Sequence, residues 1–112
     1  MKVFISQPMK GKSFEEIKKE KRRIKNSLAG KYKKPITLID QFINVTLIDS
    51  QPTTIPLTDE GFERVALFRL GRSIANMAEA DLVVMAKGWQ NARGCRLEYE
   101  VAKAYKKPIL VL

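Results

Sequence analysis

Apolar residues along this chain fall into short unbroken runs, separated by longer stretches in which they recur with helical spacing. Four runs read as strands: Lys2–Ser6, Pro35–Ile39, Asp81–Ala86 and Ile109–Leu112. They carry β-branched residues and are bounded by Pro, Gly or charged positions. After the first run, Gln7-Pro8-Met9-Lys10-Gly11-Lys12 is punctuated as a loop. Ser13-Phe14-Glu15-Glu16 then matches a capping box, which predicts a helix start. Phe14, Ile17, Ile24 and Leu28 keep the helical period, and Gly30 is the expected stop. A second helix is predicted from Thr58 to about Ala78, with Phe62, Val65, Ala66, Leu70, Ile74 and Met77 as its buried stripe. A third is predicted over Ala92–Lys106. Between the second strand and second helix, Asp40–Leu57 holds Pro52 and Pro56 and reads as a loop that crosses a sheet edge or meets a partner subunit.

Strands alternating with helices predict an α/β domain, a parallel sheet of about four strands with right-handed crossovers. The chain finishes on an apolar strand with no helix after it, which leaves one sheet face or edge under-covered and favours oligomerisation. At 112 residues the whole chain, 1–112, is expected to form a single domain.

Composition narrows the chemistry. No apolar leader and no run of eighteen apolar residues is present, so a cytoplasmic protein with no membrane partner is expected. The single cysteine, Cys95, excludes an internal disulfide and fits a reducing compartment. Histidine is absent, which removes Ser-His and Cys-His nucleophile pairs and any His metal site. Catalysis must then use carboxylates, Lys, Tyr, Cys or backbone dipoles. The net charge of +9 is concentrated: Lys10 to Lys34 holds 11 Lys/Arg against 3 Glu. Such a stretch could attract phosphates, nucleic acid or an acidic partner, but no nucleic-acid motif accompanies it and a solvated helix face is the preferred reading.

The segment Lys87–Pro108 carries most of the chemical information. Its Gly-rich turn follows an apolar strand and opens a helix, so backbone N–H groups and the positive end of a helix dipole converge there. Glu98 stands four residues past Gly94, near the strand C-termini where open α/β sheets bind ligands. Ser6, Gln7, Pro8, Met9, Lys10 and Gly11 border the same sheet edge, and at least one of them is expected to touch ligand. Asn91 is the expected cap of the third helix. Cys95 lies at a helix start, where thiol pKa values fall, though a small packed residue is its default role. Neither a P-loop nor a Gly-x-Gly-x-x-Gly motif occurs, so a dinucleotide site has no support.

Ser6-Gln7-Pro8-Met9-Lys10-Gly11, Ala80-Asp81 and Gly88-Trp89-x-Asn91-x-Arg93-Gly94-x-x-x-Glu98 together resemble the nucleoside 2-deoxyribosyltransferase-like superfamily. Within it, the chain is similar to a branch of small bacterial and phage proteins catalogued as a domain of unknown function. The most specific stretch is Gly94-x-x-x-Glu98-x-x-x-Ala102-x-Ala104-x-x-Lys107-Pro108, which is similar to the superfamily's Gly-Thr-x-x-Glu-x-Gly-x-Ala-x-Ala-x-Gly-Lys-Pro pattern. The resemblance implies a flavodoxin-like or Rossmann-like three-layer sandwich, assembled as a dimer or larger homo-oligomer, with no cofactor or metal. It implies that Glu98 is the nucleophile that attacks the anomeric carbon of a nucleoside or nucleotide and expels the base. An anion beside an oxocarbenium-like transition state stabilises its charge, as in retaining glycosidases. Ligand contacts are expected from the first loop, Asp81, Gly88, Trp89, Asn91, Arg93 and Gly94. Lys10 stands where some monophosphate-hydrolysing relatives carry a basic residue.

Three departures accompany the match. The acidic residue expected six positions before the nucleophile is Ala92, the Asp expected eight positions before Asp81 is Ser73, and Glu100 replaces a small Gly. The resemblance therefore implies an N-glycosidase or deoxyribosyltransferase, with a nucleoside or nucleotide as its small-molecule partner. The missing carboxylates favour a second reading, a non-catalytic nucleotide-binding or sensing module. A third reading, ranked below both, is a nucleic-acid adaptor working through the basic first helix.

Overall fold

The computed structural model describes residues 1–39 and 59–112, with side chains from residue 63 onward in the second stretch. The expected Asp40–Leu57 loop, the helix start at Thr58 and the Phe62 side chain lie outside the described residues. The elements are β1 (Lys2–Ser6), α1 (Phe14–Tyr32), β2 (Thr37–Leu38), α2 (Asp59–Met77), β3 (Leu82–Met85), a 3-10 turn (Trp89–Asn91), α3 (Arg93–Ala104) and β4 (Ile109–Val111). The four strands form one all-parallel sheet in the order β2-β1-β3-β4. This is an α/β fold of the flavodoxin-like or Rossmann-like sandwich type.

Strand alternation divides the core between two faces. Val3, Ile5, Leu82 and Val84 face Ile24 and Leu28 of α1. Phe4, Val83 and Met85 face Met77 at the end of α2 and Cys95 and Ala102 of α3. Three layers follow, with α1 on one side of the sheet and α2 and α3 on the other. β1 and β3 pair directly, Val3 opposite Leu82 and Ser6 opposite Met85. The chain leaves β1 for β2 on one side and later returns to β3 on the other, so the gap beyond Ser6 and Met85 is the topological switch point where such sheets bind ligands.

Local chemistry explains where the elements differ from expectation. Ser13 caps α1 as its motif requires, its hydroxyl accepting from the Glu16 N–H at 3.1 Å. Gly30 does not stop that helix. α1 runs to Tyr32 and closes at Lys33, which adopts a left-handed conformation and donates its N–H to the Ala29 carbonyl at 3.0 Å. Phe14 is half exposed rather than buried, because it occupies the first helical position, and Lys18 Nζ lies 4.7 Å above its ring. β2 is reduced to two residues paired with Lys2 and Val3. Among the described side chains of the expected α2 stripe only Met77 is buried, while Val65, Ala66, Leu70 and Ile74 are half-buried.

The Lys107-Pro108 dipeptide has a structural task. Lys107 Nζ donates to the carbonyls of Ala78 and Ala80 at 2.8 and 2.9 Å, satisfying acceptors just past the end of α2. Lys107→Met is expected to cost about 1–2 kcal/mol of stability, measured by urea denaturation, because a charged donor to two carbonyls is lost.

Candidate functional site

The site is built where the C-terminal ends of β1 and β3 meet the buried face of α3. On α3, Cys95, Glu98 and Ala102 are spaced to share one face, and all three are buried. Glu98 therefore occupies a position that an apolar residue would ordinarily fill, and it is only 7% exposed. Ser6, at the last position of β1, points to the same side of the sheet as Phe4. Its hydroxyl donates to Glu98 Oε1 at 2.8 Å across 92 residues of sequence.

Burial is the dominant influence on Glu98 and raises its pKa from the ordinary 4.5 to about 7. Hydrogen bonding from Ser6, the positive charge of Lys21 and a weaker contribution from the Ser73 hydroxyl oppose that rise. The arginines that flank Glu98 in sequence do not hold it ionised. Arg93 is engaged elsewhere, in a bidentate exposed pair with Glu63 at 2.8 and 3.3 Å. Arg96 donates to the Gln90 carbonyl at 2.8 Å. Residues two and five positions away along a helix do not share a face with Glu98, which is why neither arginine reaches it.

Cys95 takes its default role as a packed residue, 4% exposed in the α3-side core. Its thiol pKa is raised rather than lowered, first by burial and further by the Glu98 carboxylate, against the Ser6 hydroxyl and the charge of Lys12. Desolvation here outweighs the helix terminus, and Cys95 is a packed residue bordering Ser6 and Glu98.

The first loop contributes a second cluster. Gln7, 4% exposed, donates from Nε2 to Glu20 Oε1 at 2.7 Å and weakly to the Ile17 carbonyl at 3.4 Å. Lys12 Nζ stands 3.7 Å from the same Glu20 oxygen, and Arg23 lies 3.9 Å from the other. Lys12 also acts on the Cys95 thiol, which joins this cluster electrostatically to the Glu98 side of the site. Lys10, by contrast, is exposed, so Lys12 is the basic residue that the loop turns inward. Pro8 and Met9 are half-buried, and Gly11 is exposed with φ +79°. Gly88 adopts φ +88°, and a Cβ there would meet the Pro8 ring at 3.6 Å, so the two strand-end loops touch.

The remaining expected residues are not all brought together. Trp89 stacks on Tyr99 with ring centroids 4.6 Å apart and packs on the α3-side core; its buried indole N–H has no partner among the described residues. Asn91 is exposed within the 3-10 turn and Ala92 takes the N-cap position of α3, without a side-chain cap. Gly94 lies in the first turn of α3. Asp81 is at the opposite, N-terminal end of the strands, before β3, where its carboxylate accepts the Lys2 N–H at 2.8 Å.

Sequence reasoning missed Lys12, Glu20 and Lys21 as members of the site. A usable signal existed for Lys21, which continues the buried spacing Ile17, Ile24, Leu28 and is itself buried. A charged residue on an apolar stripe marks a buried ionic environment. Among the described residues no cluster of potential metal ligands is present, and no helix is long and apolar enough to cross a membrane.

Comparison with curated proteins and with solved structures gives no match. The pattern of the chain does match one family across residues 1–111, and the protein belongs to it: Domain of unknown function (DUF4406).

Proposed function

We propose that the protein cleaves the N-glycosidic bond of a nucleoside or nucleotide, with Glu98 as nucleophile. The observation that carries this reading is a carboxylate buried at the β1/β3 switch point and held by Ser6 at 2.8 Å. The resemblance to nucleoside 2-deoxyribosyltransferase-like proteins supports the same assignment. In the reaction, a Glu98 oxygen bonds to the anomeric carbon as the carbon–nitrogen bond breaks. The bonding pair leaves on the base, which takes up a proton. Water then attacks the same carbon, the ester bond to Glu98 breaks, and the carboxylate is restored as the water loses a proton. A nearly dry carboxylate interacts strongly with the cationic transition state, because the surrounding medium screens it little.

Hydrolysis of a nucleoside monophosphate is favoured over base transfer, since Lys12 and the neighbouring basic loop suit a 5′-phosphate. The half-exposed Phe68 and more exposed Leu67 of α2, with Leu97 of α3, support a homo-oligomeric assembly. The non-catalytic reading keeps one specific support: at Ala92 and Ser73 no carboxylate stands to protonate a leaving base or position a ribose.

A screen of 2′-deoxynucleosides and their 5′-monophosphates, with base release and exchange followed by chromatography, tests the reading. Wild type is expected to release or exchange a base, and Glu98→Ala to lose that activity. Nucleotide binding without turnover, unchanged in Glu98→Ala, would select the sensing module instead.

A further inference from the structure

Gln7 is the one residue of the first loop that is both buried and incompletely bonded. Its carbonyl oxygen Oε1 is buried and accepts no hydrogen bond from any described residue. An amide can normally rotate to exchange its donor and acceptor ends. Here it cannot do so freely, because Nε2 lies 2.7 Å from Glu20 Oε1 and a carboxylate accepts only. Glu20 is in turn fixed by Lys12 and Arg23. The amide is therefore locked with its acceptor end unanswered, and an unanswered buried acceptor disfavours the folded protein. Gln7 directly follows Ser6, which holds Glu98, so this acceptor belongs to the switch-point end of β1.

We propose that Gln7 Oε1 reads a hydrogen-bond donor on the substrate, and that Glu20 positions it for this role. The inference rests on the nucleotide reading above and deepens it. An amide held as acceptor selects ligands that present N–H or O–H and rejects those that present a carbonyl at the same place. The donor is an amino or ring N–H group of the base, or a sugar hydroxyl. Because Oε1 is buried, the groups around it must shift as the ligand enters.

The test uses calorimetric titration of Glu98→Gln, which removes turnover, against Glu98→Gln/Gln7→Met. The probes are the natural 2′-deoxynucleoside 5′-monophosphates and analogues of the best binder, each lacking one donor: the base amino group, a ring N–H or the 3′-hydroxyl. The double variant is expected to bind the best nucleotide about tenfold more weakly. It should also fail to distinguish that nucleotide from one analogue, which identifies the donor. Gln7→Met removes an unsatisfied acceptor but also the Nε2 bonds to Glu20 and Ile17, so the binding readout rather than melting carries the test. Glu20→Gln, which frees the amide to rotate, should blunt the same discrimination.

Unchanged affinity and selectivity would overturn the proposal and make Gln7 an internal strut. Base release by wild type together with unaltered selectivity in Gln7→Met removes the reader role alone. Gln7-dependent binding with no base release removes the glycosidase reading alone. Absence of nucleotide binding removes both.

Discussion

Glu98→Gln is expected to stabilise the protein at pH 8 while reducing any base release by about three orders of magnitude or more. The stability gain follows from the titration of the buried carboxyl. In the unfolded chain it loses its proton around pH 4.5, and in the folded protein only around pH 7. Between those values the folded state holds a proton that the unfolded state has released, so stability falls as pH rises through the window. Below about pH 4.5 the penalty vanishes; above about pH 7 it is complete, on the order of 3 kcal/mol. Gln fills the same volume, accepts from Ser6 and does not titrate. Urea denaturation of both proteins at pH 4.5 and pH 8 should therefore show nearly equal stability at the lower value and a clear advantage for Gln at the higher. A difference that stays constant between the two pH values would mean that Glu98 titrates as an exposed carboxyl, and the dry site would have to be given up.

Stabilisation by deleting the acid is informative because a purely structural glutamate predicts the opposite. An i,i+4 surface ion pair loses a few tenths of a kcal/mol when its carboxylate is removed, at every pH above its pKa. A buried carboxylate under desolvation is a local cost to the fold, and natural proteins carry such costs chiefly at functional positions. This stability experiment discriminates between a surface pair and a strained site without knowledge of the substrate.

The parallel sheet and its helices were legible because their signals are local. An apolar run such as Leu82–Met85 and the Ser13 cap each contain their own explanation. Helix ends were less legible. Gly30 carries the residue type of a stop, yet Lys33 supplies the left-handed closure, since the helix continues until Tyr32, one turn past Leu28, has packed on the core. At Asn91 the tight turn that starts from Gly88 uses the residue before a cap is needed. The site was half legible. Glu98 stands out by motif, but its real partners, Ser6 at the end of β1 and Lys21 on α1, are joined to it only by the fold. The arginines nearest in sequence mislead, because nearness along a helix is not nearness around it.

At Ser73 a hydroxyl, and at Ala92 a methyl, stand where the resemblance to nucleoside 2-deoxyribosyltransferase-like proteins implies acids, and this changes how the site manages charge. Ser73 occupies one such position and, with Ser6, favours the ionised form of Glu98. A second carboxylate beside Glu98 would push its pKa higher still. Burial raises it, and the two hydroxyls with the positive charge of Lys21 limit that rise to about 7, where both protonation states are populated at neutral pH. Under the proposed reaction, a leaving base would then draw its proton from water or from a substrate-bound group rather than from a dedicated acid.

Ser6→Ala isolates this electrostatic role from the rest of the site. A nucleophilic Glu98 acts only when ionised, so base release in wild type should rise with pH and reach half its plateau near pH 7. Removing the Ser6 hydroxyl deletes a hydrogen bond that favours the ionised form, and the midpoint should move upward by about one pH unit, since a bond to a charged group is worth about 1.5–3 kcal/mol and part is recovered by relaxation. At pH 6 the variant should be about tenfold slower than wild type. Toward pH 9 the two should converge, because both carboxyls are then ionised. That convergence separates a shift in ionisation from simple loss of geometry, which would lower the rate equally at all pH values. A uniform loss would leave Ser6 as a positioning residue only, whereas an acid-side loss that disappears at high pH would tie the reaction to the ionised Glu98 carboxylate.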